Sequence, residues 1–137
     1  LEEFTTELAR YGITPTCLQL WGTGSALREF MWSDDLAEAC ITIAERVSFA
    51  ELYPAGEREI RNTHINIGSG EEVSIRTLAT LVAEATHYEG SIEWDSTKPD
   101  GTPRKLLGLT RLTSLGYTAT TPLAVGIPRL YDWYCQH

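Results

Sequence analysis

The stretch 63-THINIGSGEEVSIRTLATLVAEATHYEGSIEWD-95 decides the fold class. "HINIG" is an apolar run closed by a glycine turn, which predicts a strand. Ser74 precedes Ile75, Leu78, Val82 and Ala85, whose spacing marks one face of a helix. A serine placed there caps the helix by accepting from a backbone N–H of the first turn. "SIEWD" then reads as a second strand. Strand, helix and strand within about 30 residues form a βαβ crossover, which requires two parallel strands.

The flanking segments add helices and short extended pieces. "FTTELARYG" reads as a helix stopped by Gly12. "CLQLWGTGS" is a strand running into a turn, and "REFMW" alternates as a short extended segment. "SDDLAEACITIAERV" starts a helix with Ser33 or Asp34 as cap and acids at the positive end of its dipole. Ala37, Cys40, Ile41, Ala44 and Val47 mark its expected buried face. Residues 49–62 are polar with Pro and Gly, so a surface loop is expected.

After the crossover, Thr110 is placed to cap a short helix that stops at Gly116. Thr121-Pro122 opens a final helix, with Leu130, Trp133 and Tyr134 as its anchor face. Pro128 should kink or split that helix. The expectation is one α/β domain over residues 1–137. Two parallel strands are too few for a doubly wound sheet and weak alone, so the chain reads as part of something larger.

With 42% hydrophobic and 22% charged residues, the composition is that of a globular domain. No apolar run approaches the ~20 residues that span a membrane, and no signal-peptide pattern opens the chain. A net charge of -8 argues against a nucleic-acid partner, which needs a basic face. Cys17, Cys40 and Cys135 show neither a CxxC pair nor a metal spacing. They read as reduced, mostly buried thiols of a cytoplasmic protein.

Several motifs invite a site and fall short of one. Gly68 and Gly70 miss the G-x-G-x-x-G spacing and run into Glu71-Glu72, where a pyrophosphate would sit, so a turn is the plain reading. "WGTGS" falls short in the same way. P-loop, HExxH and GxSxG motifs are absent. His87 and His137 read as exposed, and His64 as a packed or hydrogen-bonded residue at a strand start; none is assigned a catalytic role.

Two segments remain. Trp21 and Arg28 flank a small-residue turn in "WGTGSALREF". A Trp can cover a base and an Arg can grip phosphate oxygens, while a core Trp with a surface Arg is the plainer alternative. "KPDGTPRK" clusters Lys98, Arg104 and Lys105 on a loop stiffened by Pro99, Pro103 and the Asp100-Gly101 turn. A solvated turn is the plain reading there, set against like charges clustered without a partner.

"WGTGSALREFMWSDDLAEA", "HINIGSGEEVSIRTLA" and "STKPDGTPRKLLGLTRLTSLGY" together resemble the C-terminal portion of the GDP-L-fucose synthase family. Those enzymes are GDP-4-keto-6-deoxymannose 3,5-epimerase/4-reductases of the extended short-chain dehydrogenase/reductases. "KPDGTPRK" is the specific part; "REF", "DDLA" and "NIGSG" are shared with related nucleotide-sugar enzymes. The resemblance implies a substrate-binding lobe, with NADP(H) and the catalytic residues on a Rossmann domain absent from this chain. It implies a GDP-sugar ligand, contacted here by Trp21, Arg28, Asp100 and Lys105, and a homodimeric parent. It implies no catalytic, cofactor-binding or metal residue in this chain. A lobe of another nucleotide-sugar epimerase or dehydratase, or a non-catalytic interaction domain of that superfamily, stays open. Departures are Glu2-Glu3 where a basic pair is expected before Phe4, Gly108-Leu109 in place of "DV", and Pro128.

Overall fold

A computed structural model describes residues 2–53, 56 and 59–137, with side chains from residue 6 onward. The Glu2-Glu3 departure lies outside the described side chains. The elements run in the order α1 (Glu2–Ala9), β1 (Cys17–Trp21), β2 (Leu27–Glu29), α2 (Ser33–Arg46), a 3-10 helix (Phe49–Leu52), β3 (Glu72–Ser74), α3 (Ile75–Ala85), β4 (Ser91–Asp95), β5 (Arg104–Lys105), α4 (Thr110–Ser114) and α5 (Leu123–Gln136). They divide into two compact units.

The first unit comprises Leu1–Arg28, Glu72–Lys105 and Ile127–His137. Its backbone is set by β1 and β4, which pair in parallel from Cys17↔Ser91 to Trp21↔Asp95. A second sheet has the order β3-β2-β5, with β2 and β5 parallel. The α/β class and the parallel crossover therefore hold, but the first strand of the crossover is β1 instead of "HINIG". Residues 64–68 belong to no strand and pair with none among the described residues. Their hydrogen bonds go elsewhere: the Asn66 amide donates to Gly108 O at 3.1 Å, and Arg111 donates to His64 O at 2.8 Å. His64 is exposed instead of packed, and is hydrogen-bonded through that carbonyl.

Ser74 caps α3 as expected, its Oγ accepting from Thr77 N–H at 2.9 Å. Ile75, Leu78 and Ala85 are half-buried, whereas Val82 is exposed; Ala79 and Leu81 share the inner face instead.

The second unit comprises Glu29–Glu71 and Leu106–Gly126 and closes around Ala39 and Leu112, both buried. Helix α2 is capped by Trp32, with no side-chain cap bond, so neither Ser33 nor Asp34 takes that role. Asp35 explains the shift. It turns inward, 3% exposed, and accepts from Thr120 N–H (3.2 Å), Thr120 Oγ1–H (3.0 Å) and Thr121 N–H (2.9 Å). Tyr117 adds a bond to Asp35 O. The inner face of α2 is thus Asp35 and Ala39, and the expected face of Ala37, Cys40, Ile41 and Ala44 is exposed; Val47 is half-buried. Helix α4 begins after Leu109 instead of being capped by Thr110, and Gly116, at φ +78°, follows it as expected.

Helix α5 runs unbroken through Pro128. A proline removes one N–H from a helix without ending it when packing holds the rest. Its inner residues are Leu123, Gly126 and Ile127, with Gly126 packed against Trp32. Leu130, Trp133 and Tyr134 are exposed, so they do not anchor the helix. The thiols also differ from expectation: Cys40 and Cys135 are exposed and Cys17 half-buried. None of the helices described is long and apolar enough to cross a membrane.

Candidate functional site

The site residues named from sequence all lie in the first unit, on β1, β2, β5 and the connecting loops. Their geometry starts at Gly22-Thr23-Gly24. Gly22 and Gly24 have φ of +79° and +74°, which an L side chain resists. Space also forbids a side chain. A Cβ at Gly22 would meet the Asp100 carboxylate, and one at Gly24 would meet the Trp94 ring.

Asp100 fastens this turn from one side. Its Oδ1 accepts from Thr23 N–H at 2.6 Å and its Oδ2 from Thr23 Oγ1–H at 2.7 Å. These bonds, the hydroxyl first and the backbone amide second, hold its carboxyl below the usual range. Arg76 works from the other side, donating to Thr23 O while its guanidinium lies 4.5 Å from the Trp94 ring centre.

The loop from Asp95 to Lys105 then links three features. Lys98 Nζ stands 5.7 Å from the centre of the Trp21 ring, which is 71% exposed. Gly101 approaches Arg28: a Cβ built there would lie 3.8 Å from Nη2. Lys105 is the direct register partner of Arg28 across β2 and β5. Directly paired residues project from the same face of a sheet, so two cations stand side by side. Arg28 Nη1 donates to Leu27 O at 2.6 Å, leaving its other donors for a ligand.

Two cations without a role in the sequence reading acquire one. Lys98 covers Trp21. Arg104 forks onto Glu72, with Nε 2.8 and 2.9 Å from the two carboxylate oxygens and Nη2 2.6 Å from Oε2. That bond lowers the Glu72 pKa. Glu72, Thr23, Arg76 and Asp35 were missed from sequence because each acts through a residue 32 to 85 positions away.

Neither glycine turn offers a dinucleotide cradle. The Gly22–Gly24 turn is filled by Asp100 and Trp94. In the second unit, Gly70 N–H donates to Glu29 Oε1 at 2.6 Å, and a Cβ at Gly68 would meet the same carboxylate. A carboxylate already occupies the place of a pyrophosphate, so these residues do not fit NADP(H). Among the described residues no cluster of His, Cys, Asp and Glu could hold a metal.

Residues 6–68 match the NAD dependent epimerase/dehydratase family. The chain is 49% identical over 118 residues to GDP-L-fucose synthase 1 of Arabidopsis thaliana, which spans 86% of this chain and 33% of that protein. It is 39% identical over 118 residues to GDP-L-fucose synthase of Escherichia coli, 86% of this chain and 36% of that protein. The chain is a relative of the GDP-L-fucose synthases. It spans about a third of the length of these curated relatives. Among solved structures, a GDP-6-OMe-4-keto-L-xylo-heptose reductase from C. jejuni matches with a TM-score of 0.90 at 35% identity, over 98% of this chain and 38% of that one. The fold is accordingly that of the matching part of an extended short-chain dehydrogenase/reductase, 37–38% of those chains.

Proposed function

We propose that this chain is the GDP-sugar-binding lobe of a cytoplasmic enzyme of the GDP-L-fucose synthase type. The whole enzyme converts GDP-4-keto-6-deoxy-D-mannose to GDP-L-fucose by epimerisation and NADPH-dependent reduction, as a homodimer. NADP(H) and the reacting residues belong to a part of the protein outside this chain. The lobe alone binds its ligand weakly and does not turn it over.

The observation that carries this reading is the pairing of Arg28 with Lys105 in adjacent strands. A diphosphate needs charge-assisted donors at two neighbouring oxygens, and Arg supplies a fork where Lys supplies a point charge. Trp21, at the end of β1 in the same unit, offers an exposed aromatic face, and Lys98 steadies that face. Asp100 contributes twice. It fixes the turn that connects Trp21 to the strand of Arg28, and its carboxylate retains acceptor capacity for a sugar hydroxyl or a base N–H. The similar proteins include enzymes named for GDP-sugars at 35–49% identity, which favours GDP over UDP or dTDP.

Calorimetric competition among GDP, UDP and dTDP tests this reading. GDP is expected to bind first, in the weak range typical of an isolated lobe. Preference for UDP or dTDP would reassign the lobe to another nucleotide-sugar enzyme. Absence of binding by all three would leave a non-catalytic interaction domain.

A further inference from the structure

The C-terminal ends of α2 and α4 meet in the second unit. Arg46, in the last turn of α2, donates through Nη1 to the carbonyl of Leu115, the C-cap of α4, at 3.3 Å. A cation there answers the free carbonyls of a helix end. That bond uses one of the five N–H donors of a guanidinium. Arg111, on α4, spends Nη1 on the carbonyls of Asn62 and His64. Among the described residues, Nε and Nη2 of both arginines have no partner. Neither arginine is ion-paired there; the ion pairs are those of Arg10, Arg61 and Arg104.

Both arginines line one cavity of about 270 Å³. Much of its remaining wall is apolar: Val47, Leu52, Ile65 and Leu115, all half-buried. Ser114 turns its hydroxyl to Arg111 O at 2.7 Å. Glu51 is the one acid of the lining, and the 3-10 helix holds it, since Ser48 N–H donates to Glu51 Oε2 at 2.7 Å. None of these residues belongs to the site described above, and all lie in the second unit. We propose that this cavity binds a small monocarboxylate, its charge held by Arg46 and Arg111 and a short apolar body laid against Val47, Leu52, Ile65 and Leu115.

Three properties of the lining select that class. A planar carboxylate matches the fork of a guanidinium and takes two parallel bonds from it. Two arginines and one glutamate leave a single positive charge, which one negative charge balances; a dianion would meet repulsion from Glu51. The volume falls just below the roughly 300–1,000 Å³ of drug-sized sites, so the ligand has few atoms. The apolar walls reward carbon in it, at about fourfold in affinity for each methylene fully buried.

Titration calorimetry of the 137-residue chain with isocaproate, isocaproamide, acetate and inorganic phosphate tests the site, repeated on Arg46→Gln and Glu51→Gln. Isocaproate is expected to bind in the millimolar range, about tenfold more tightly than its uncharged amide, the worth of a charge-assisted bond. Acetate, which lacks the body, and phosphate, which carries more charge, should both bind more weakly than isocaproate. Arg46 is exposed and makes one bond, so its replacement spares the fold. Arg46→Gln should weaken isocaproate about tenfold and leave the amide unchanged. Glu51→Gln keeps an oxygen for Ser48 N–H and removes the repulsion, so it should tighten isocaproate about two- to fivefold. A loss of structure would weaken binding in either variant, so opposite shifts belong to the charges of the site. Equal binding of isocaproate and its amide, no binding of isocaproate, tighter binding of phosphate, or the absence of opposite shifts overturns the proposal. The GDP-sugar reading stands or falls separately.

Discussion

Arg104 and Glu72 hold each other from opposite sides of the strand between them. Arg104 is on β5 and Glu72 on β3, with β2 in the middle of that sheet. The pair ties the two outer strands over the one that carries Arg28. Short strands of two and three residues have few ladder bonds of their own, so a forked side-chain link matters to their register. Arg104→Lys should lower the melting temperature, since an ammonium cannot make the fork. Replacing both residues should cost less than the sum of the single replacements in a double-mutant cycle. Strict additivity would show that the link does not couple the strands.

Asp35 predicts acid sensitivity in the second unit. Burial alone would raise its pKa; the hydrogen bonds from Thr121 and Thr120 together outweigh this and lower it. A carboxyl with a depressed folded pKa contributes stability above its unfolded value near ~4, and that contribution disappears as pH falls through the folded value. Asp35→Ala should therefore cost about 1–3 kcal/mol at neutral pH, because half-buried Thr121 and exposed Thr120 lose their shared acceptor. The stability difference between the variant and the unaltered chain should narrow as pH falls below the ordinary aspartate value of ~4. Denaturant unfolding at several pH values measures both effects.

Three glycines at similar φ separate strain from collision. Gly22, Gly24 and Gly116 lie at +79°, +74° and +78°. A Cβ on Gly116 meets nothing within 4 Å, whereas those on Gly22 and Gly24 meet Asp100 and Trp94. Gly116→Ala should cost about 1–2 kcal/mol from backbone strain alone. Gly22→Ala should cost roughly 1–3 kcal/mol more, through overpacking. It should also release Asp100 from Thr23, weakening GDP binding.

The local signals in the sequence survived well. Ser74 and Gly116 mark element ends where capping chemistry puts them, and "CLQLW" and "SIEWD" are strands. What failed was pairing and orientation. "HINIG" has strand character, yet strand assignment needs a neighbour, and none of the described residues supplies one. The apolar stripe on α2 was legible, but its inward side is set by Asp35, whose partners Thr120 and Thr121 lie 85 and 86 residues on. Periodicity identifies a stripe and cannot say which way a polar anchor turns it. Of the site, the cations of "KPDGTPRK" were visible, but the division of labour among them was not. Strand register sets Lys105 beside Arg28, Arg104 reaches across to Glu72, and the loop between β4 and β5 brings Lys98 to Trp21.

The most direct test is the affinity for GDP of the chain carrying Arg28→Ala, Lys105→Ala or both. If the pair grips the diphosphate, Arg28→Ala should weaken binding by about tenfold or more, the worth of a charge-assisted bond. Lys105→Ala should weaken it less, and the double variant should lose the salt dependence of binding. GDP binding with unchanged affinity and salt dependence in the double variant would contradict the assignment of Arg28 and Lys105 to the diphosphate.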